Sequence, residues 1–193
     1  MNPPIIGLYS PTPQCGKTTL ARYLATFNYR IVSFATPLKE MVTAMLTNLG
    51  YPHVEARELV TNRKEVLIPE IGVTSRHLLR TLGTEWGRDC VHPEVWLLSW
   101  EHRARRAMQE GYRVVCDDCR FPDEADLIRS MDGELWWVHR TVFNTPPSGH
   151  RSDGGLDNYT PFDVRIDNNG SLIQLYDQIS SRLSLKEEVT HAS

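Results

Sequence analysis

No apolar run in this chain approaches the roughly 18 residues that a membrane span requires, so no transmembrane segment is expected. The opening Met-Asn-Pro-Pro carries no basic region followed by a long apolar stretch. It reads as the approach to a first strand and not as a signal peptide, and a cytoplasmic location is expected. Cysteine is scarce. Cys15, Cys90, Cys116 and Cys119 are the four present. They lack the two ligand pairs of a zinc site, and in an intracellular chain they read as thiols. Neither sign of charge dominates. A net charge of -3 and a pI near 6.2 argue against a protein that grips long nucleic acid through many phosphates. Small anionic ligands fit better, stable nucleic-acid binding is not expected, and a homodimer stays open. No internal repeat or domain linker is visible. A length of 193 residues therefore predicts one α/β domain with a substantial core.

What is present alternates between two periodicities. Ile5 to Tyr9 is a short apolar run. After a Pro-rich loop, Lys17 to Phe27 places Leu20, Tyr23, Leu24 and Phe27 at helical spacing. Arg30 to Phe34 reads as a second strand. Pro37 opens a helix with Leu38, Met41, Val42, Met45, Leu46 and Leu49 on one face, closed by Gly50. Glu55 to Val73 gives mixed signals, read as a short helix and a charged loop. Thr74 or Ser75 then caps a helix with Leu78, Leu79 and Leu82. Val95 to Glu110 reads as a helix with Trp96, Leu97 and Trp100 toward the core. Tyr112 to Cys116, Glu134 to His139 and Val164 to Asp167 read as strands, Pro122 to Met131 as a helix, and Ser171 caps a closing helix through Leu183. Such alternation predicts a roughly five-stranded parallel sheet flanked by helices, with ligands outside the carboxyl ends of its strands. The Pro- and Gly-rich stretch from Arg140 to Pro161 is long enough to serve as a lid.

The strongest local signal is Pro11-Thr-Pro-Gln-Cys-Gly16-Lys17-Thr18-Thr19, between a strand and a helix as a phosphate-binding loop requires. Gln14, Cys15, Gly16, Lys17, Thr18 and Thr19 form the expected cradle. Backbone amides point at phosphates, Lys17 supplies charge, the Thr18 hydroxyl is placed to ligate magnesium, and Thr19 is structural. Pro11 stands where such loops usually carry glycine, so the loop must begin differently. The second signal is Val114 to Glu124, an apolar strand that releases Asp117, Asp118 and Arg120 at its end. A carboxylate there suits magnesium, and Arg120 suits the transferring group. The alternative is a turn in which Asp118 caps a helix and Arg120 is merely solvated. Third, Arg76 and Arg80 lie one helical turn apart, suiting a clamp on an anionic monophosphate, while Glu85 and Trp86 could read a base. Arg80 on a solvated face and Trp96 as core filling remain the alternative there. Last, Arg140, His150, Arg151, Ser152 and Asp153 mark the lid, whose arginines could approach phosphates on closure.

Together these residues resemble the phage-type deoxynucleoside monophosphate kinases, a branch of the P-loop nucleotide kinases. Five blocks carry the resemblance: Gly16-Lys17-Thr18; Phe34 to Lys39; Arg76 to Arg88, ending Leu-Gly-Thr-Glu-Trp-Gly-Arg; Asp118-Cys-Arg120; and His150 to Asp153 with Asp167 to Leu172. The resemblance implies a P-loop NTPase fold of the NMP-kinase type over residues 1–193, with an acceptor-binding segment at about 36–90 and a lid at about 140–161. It implies transfer of the γ-phosphoryl group of ATP, with magnesium, to a deoxynucleoside monophosphate, and a phage origin. Lys17, Asp118, Arg120, Arg140 and Arg151 would be catalytic, with Thr18 and Asp118 on the metal. Thr36, Lys39, Arg63, Lys64, Arg76, Arg80, Glu85, Trp86 and Arg88 would face the acceptor. A kinase of a hydroxymethylated DNA base or another metabolite, and a regulatory module that binds ATP without transfer, are the competing readings.

Overall fold

The computed structural model describes residues 2–12, 14–141 and 155–191. Five strands form one parallel sheet in the order β2-β5-β1-β6-β7: β1 (Ile5–Tyr9), β2 (Tyr29–Ile31), β5 (Arg113–Cys116), β6 (Glu134–His139) and β7 (Val164–Asp167). Every residue of β1 is buried, as expected where helices cover both faces of a parallel sheet. The flanking helices are α1 (Lys17–Ala25), α6 (Pro122–Ser130) and α7 (Leu172–His191). Gly7 is what lets α6 approach: a Cβ there would lie 2.7 Å from Ile128 Cδ1 and 2.9 Å from Leu135 Cδ2. On the other face, Leu20, Leu24, Trp136, Leu175 and Ile179 join one buried cluster. Tyr23 stacks on Tyr176 at 3.9 Å between ring centroids.

The chain divides into two compact units, residues 1–33 with 101–193, and residues 34–100. The sheet lies in the first. The second contains α2 (Thr36–Asn48), α3 (His53–Thr61), the hairpin β3 (Leu67–Ile68) and β4 (Val73–Thr74), α4 (Ser75–Thr81), a π-helical continuation over Leu82–Val91, and the start of α5 (Val95–Gln109). It has its own core of Val42, Leu46, Ala56, Leu59, Val60 and Ile68. Among the described residues no helix is long and apolar enough to cross a membrane.

Most element readings survive, with differences at the edges. β2 stops at Ile31, although Val32 still donates to Val115 O at 2.9 Å. Thr74 caps α4, its hydroxyl accepting from His77 N at 3.2 Å. The mixed segment after Glu55 holds the short antiparallel hairpin, in which Leu67 faces Thr74 and Ile68 faces Val73. The π-helical turns were not foreseen.

Candidate active site

The two strands that flank β1, β5 and β6, define the site. The chain crosses from β1 toward β5 and β2 on one side and toward β6 and β7 on the other, so the carboxyl end of β1 opens on the switch point where open α/β sheets bind ligands. Beyond Tyr9 the chain enters the phosphate loop, where Gln14 (φ 57) and Gly16 (φ 102) take left-handed backbone. These are the positions that need it. Pro11 is exposed and not among the positive-φ residues, which is why a proline is tolerated where a glycine is usual. No side chain caps α1 at Gly16. A helix start without a side-chain cap, at the positive end of the helix dipole, is a site for an anion.

Lys17 extends from this turn with its Nζ donating to Cys15 Sγ at 3.6 Å. Its pKa is lowered. Burial is the main cause; Cys15 opposes it, the Arg120 charge adds to it, and Asp117 opposes it. An ammonium held partly dehydrated in this way gains when an anion arrives beside it.

Cys116 lies opposite Gly7 in the sheet, so Asp117 and Asp118 leave β5 beside the loop that follows β1. Asp117 Oδ1 accepts from the Ser33 hydroxyl at 2.6 Å, and Arg103 Nη2 donates to the Ser33 carbonyl at 2.7 Å. Asp118 Oδ1 accepts from Cys116 Sγ at 3.5 Å. Burial pushes the Cys116 and Cys119 thiols well up, so they stay protonated. Asp118 is not the helix cap. Phe121 holds that position, and buried Glu124 reaches back to accept from Arg120 N at 2.7 Å and Phe121 N at 3.1 Å. This fixes the turn from which exposed Arg120 projects. At the end of β6, Arg140 Nε is buried with no partner among the described residues.

Among the described residues no three His, Cys, Asp or Glu gather as a metal cage. The donors beside the phosphate loop are the exposed Thr18 hydroxyl and the strand-end carboxylates. That set fits magnesium, which takes one or two protein oxygens and leaves the rest to phosphate and water.

Thr36, Lys39, Arg63, Lys64, Arg76, Arg80, Glu85, Trp86 and Arg88 all belong to the second unit. Arg76 Nε forms an ion pair with Glu65, and its backbone N donates to Lys64 O at 3.0 Å. Leu38 Cδ1 lies 3.3 Å from where a Cβ on Gly83 would stand, which brings the first turn of α2, with Thr36 and Lys39, against the π-helical turn. Trp86 on that turn is 44% exposed and available for stacking. Trp96 is not. It is buried, donates Nε1 to Gly83 O at 2.8 Å and fills the space beside Gly87, so it is core.

Arg151, with His150, Ser152 and Asp153, falls outside the described residues. The far part of the expected lid is firmly attached: Leu156 is fully buried, Tyr9 OH donates to Asp157, Tyr159 OH donates to Asp126 at 2.7 Å, and Arg129 Nη2 donates to the Pro161 carbonyl. Burial and then Asp157 hold the Tyr9 phenol well above its usual range. Sequence reasoning gave no individual role to Ser33, Arg103, Glu124 or Asn168. Glu124 carried a signal, an acidic residue three after the cap and just before an apolar helix face. Asn168 lay in the Asp167 to Leu172 block of the resemblance, but its contact with Cys15 could not be read there, since that partner is 153 residues away.

A family model described as deoxynucleotide monophosphate kinase matches residues 44–179. A deoxynucleoside-5'-monophosphate kinase of Escherichia phage T5 is 31% identical over 80 residues, covering 42% of this chain and 31% of that protein. A protein of Acanthamoeba polyphaga mimivirus named "putative deoxynucleotide monophosphate kinase" is 26% identical over 179 residues, covering 86% of this chain and 89% of its own length. Among solved structures, shikimate kinase from Bacteroides thetaiotaomicron aligns with a TM-score of 0.41 and 13% identity over 95% of this chain and 98% of that one.

Proposed function

The chain belongs to the deoxynucleotide monophosphate kinase family, and from that premise we propose that it transfers the γ-phosphoryl group of ATP to a deoxynucleoside monophosphate with magnesium. The observation that carries this reading is the uncapped α1 N-terminus with Lys17 beside a strand end bearing two carboxylates. In this reading the amides of Gly16, Lys17 and Thr18 bind the donor's phosphates. Lys17 leaves Cys15 to neutralise charge that builds on the oxygens between leaving and transferring groups. Thr18 and Asp118 would hold magnesium, which would supply positive charge against the donor phosphates. Arg120 and Arg140 direct charge at the transferring group, the latter with a buried nitrogen that a phosphate oxygen would satisfy. Arg76, Arg80 and Arg88 supply the guanidinium groups for the acceptor phosphate, and Trp86 a surface for its base. No covalent enzyme intermediate is needed, because positioning and charge suffice for phosphoryl transfer.

The test is ADP formation by the purified protein with ATP and magnesium across the common deoxynucleoside monophosphates and a set of oligonucleotides. The expected result is turnover with at least one free monophosphate, lost by about 10² to 10³ or more in Lys17→Ala. Near-normal turnover in folded Lys17→Ala removes the donor-site assignment. Phosphorylation of oligonucleotides and of no free monophosphate removes the acceptor assignment.

A further inference from the structure

Asn168 sits where β7 gives way to α7, 93% buried, with its backbone N donating to His139 O at 2.8 Å. Its side-chain Nδ2 donates to the carbonyl of Cys15 at 2.7 Å. A Cβ placed on Gly16 would stand 2.3 Å from that same Nδ2. The carboxamide therefore touches the phosphate loop at the peptide joining Cys15 to Gly16, from a segment outside the loop and its helix.

That peptide is planar and trans, so its carbonyl and its N–H point in opposite directions. Fixing the Cys15 carbonyl on Asn168 also fixes the Gly16 amide, which is directed away from Asn168. The same contact keeps the Cys15 oxygen away from the anion that the neighbouring amides attract. A carbonyl turned toward phosphate would oppose binding as strongly as an amide favours it. Without the contact, the Gly16 backbone has the widest conformational choice of any residue, and the peptide is free to turn over.

We propose that Asn168 is a positioning residue for the donor phosphates: its carboxamide sets the orientation of the Cys15–Gly16 peptide and so the aim of the Gly16 amide. The proposal deepens the donor-site reading and rests on it only for the identity of the anion. Replacing the donor NH2 by oxygen should be worse than removing it, since Asn168→Asp would set a carboxylate against the Cys15 carbonyl and add negative charge beside the phosphate site.

The experiment has a ligand-free arm and a ligand arm. In the unliganded protein, the Gly16 amide resonance should be single and sharp in the wild type, and shifted or broadened in Asn168→Ala while the resonances of the second unit stay in place. With ATP and magnesium, Asn168→Ala should bind about tenfold or more weakly and Asn168→Asp more weakly still. The KM for the monophosphate should change less than twofold, so that the loss is confined to ATP, whereas a general loss of stability would lower the active fraction and leave both affinities in place. An unmoved Gly16 amide in Asn168→Ala overturns the proposal. So does wild-type ATP affinity in both variants when Lys17→Ala has lost it. If the wild type binds no ATP while the Gly16 amide responds to Asn168→Ala, the positioning role stands and the donor-site reading falls.

Discussion

Asp117 and Asp118 are adjacent in sequence yet differently employed. Asp117 is tied to the Ser33 hydroxyl and helps keep Lys17 charged, while Asp118 is met by a thiol at 3.5 Å. Asp118→Asn should therefore lower kcat by roughly 10² to 10³, the scale of losing one electrostatic stabiliser, and Asp117→Asn by less. Steady-state kinetics of both variants decide this, and a larger loss at Asp117 would transfer the metal-side role to it. Lys17 itself should report by proton uptake. Its pKa is lowered in the free protein, chiefly by burial, and an adjacent polyphosphate must raise it. Between those two values the free side chain is neutral and the bound one charged. Binding then takes up a proton, and ATP affinity falls as pH rises through that window. Calorimetry in buffers of different ionisation enthalpy should detect the uptake for the wild type and not for Lys17→Arg, whose charge does not titrate.

At the scale of elements, the π-helical turn over Leu82–Val91 joins stability to recognition. Gly87 has no room for a side chain: a Cβ would lie 2.4 Å from Trp96 Nε1 and 2.5 Å from its Cζ2. Gly87→Ala should cost about 1 to 3 kcal/mol by overpacking, visible as a lowered Tm. Arg76→Ala should raise the KM for the monophosphate by roughly tenfold to hundredfold, the loss of a charge-assisted pair, and leave the KM for ATP nearly unchanged. Glu65→Ala is the control, because it also breaks the Arg76–Glu65 pair; equal effects from the two variants would mean that Arg76 serves only that pair. The block from Leu82 to Arg88 was legible as a motif but not as a shape. Hydrogen bonds from i to i+5 leave no distinctive apolar period, so the end of the helix that Thr74 or Ser75 caps had no boundary in the sequence. β1 and β5 were legible because the apolar runs Ile5 to Tyr9 and Val114 to Cys116 suit strands covered on both faces. β3 and β4 were hidden because two-residue strands carry too few positions to show alternation. Gly16, Lys17 and Thr18 could be placed from local spacing. The contacts of Ser33, Arg103 and Asn168 could not, since they arise only from tertiary pairing.

Taken whole, the molecule interleaves its parts along the chain. The first 33 residues and those from Glu101 onward build one unit, and the second is inserted between them. The amides of Ile6, Leu8 and Val115, in strands paired on both sides, should be the slowest to exchange with solvent, opening only with global unfolding. The Asn168 contact with Cys15 has a bearing on how the protein is made. The two residues are 153 apart, so at about 5 to 20 residues per second a ribosome adds Asn168 roughly 8 to 30 s after Cys15. Throughout that interval the loop exists without its brace. A nascent chain should therefore not gain full affinity for nucleotide until translation is nearly finished, and a chain cut short before β7 should neither sequester ATP nor squander it.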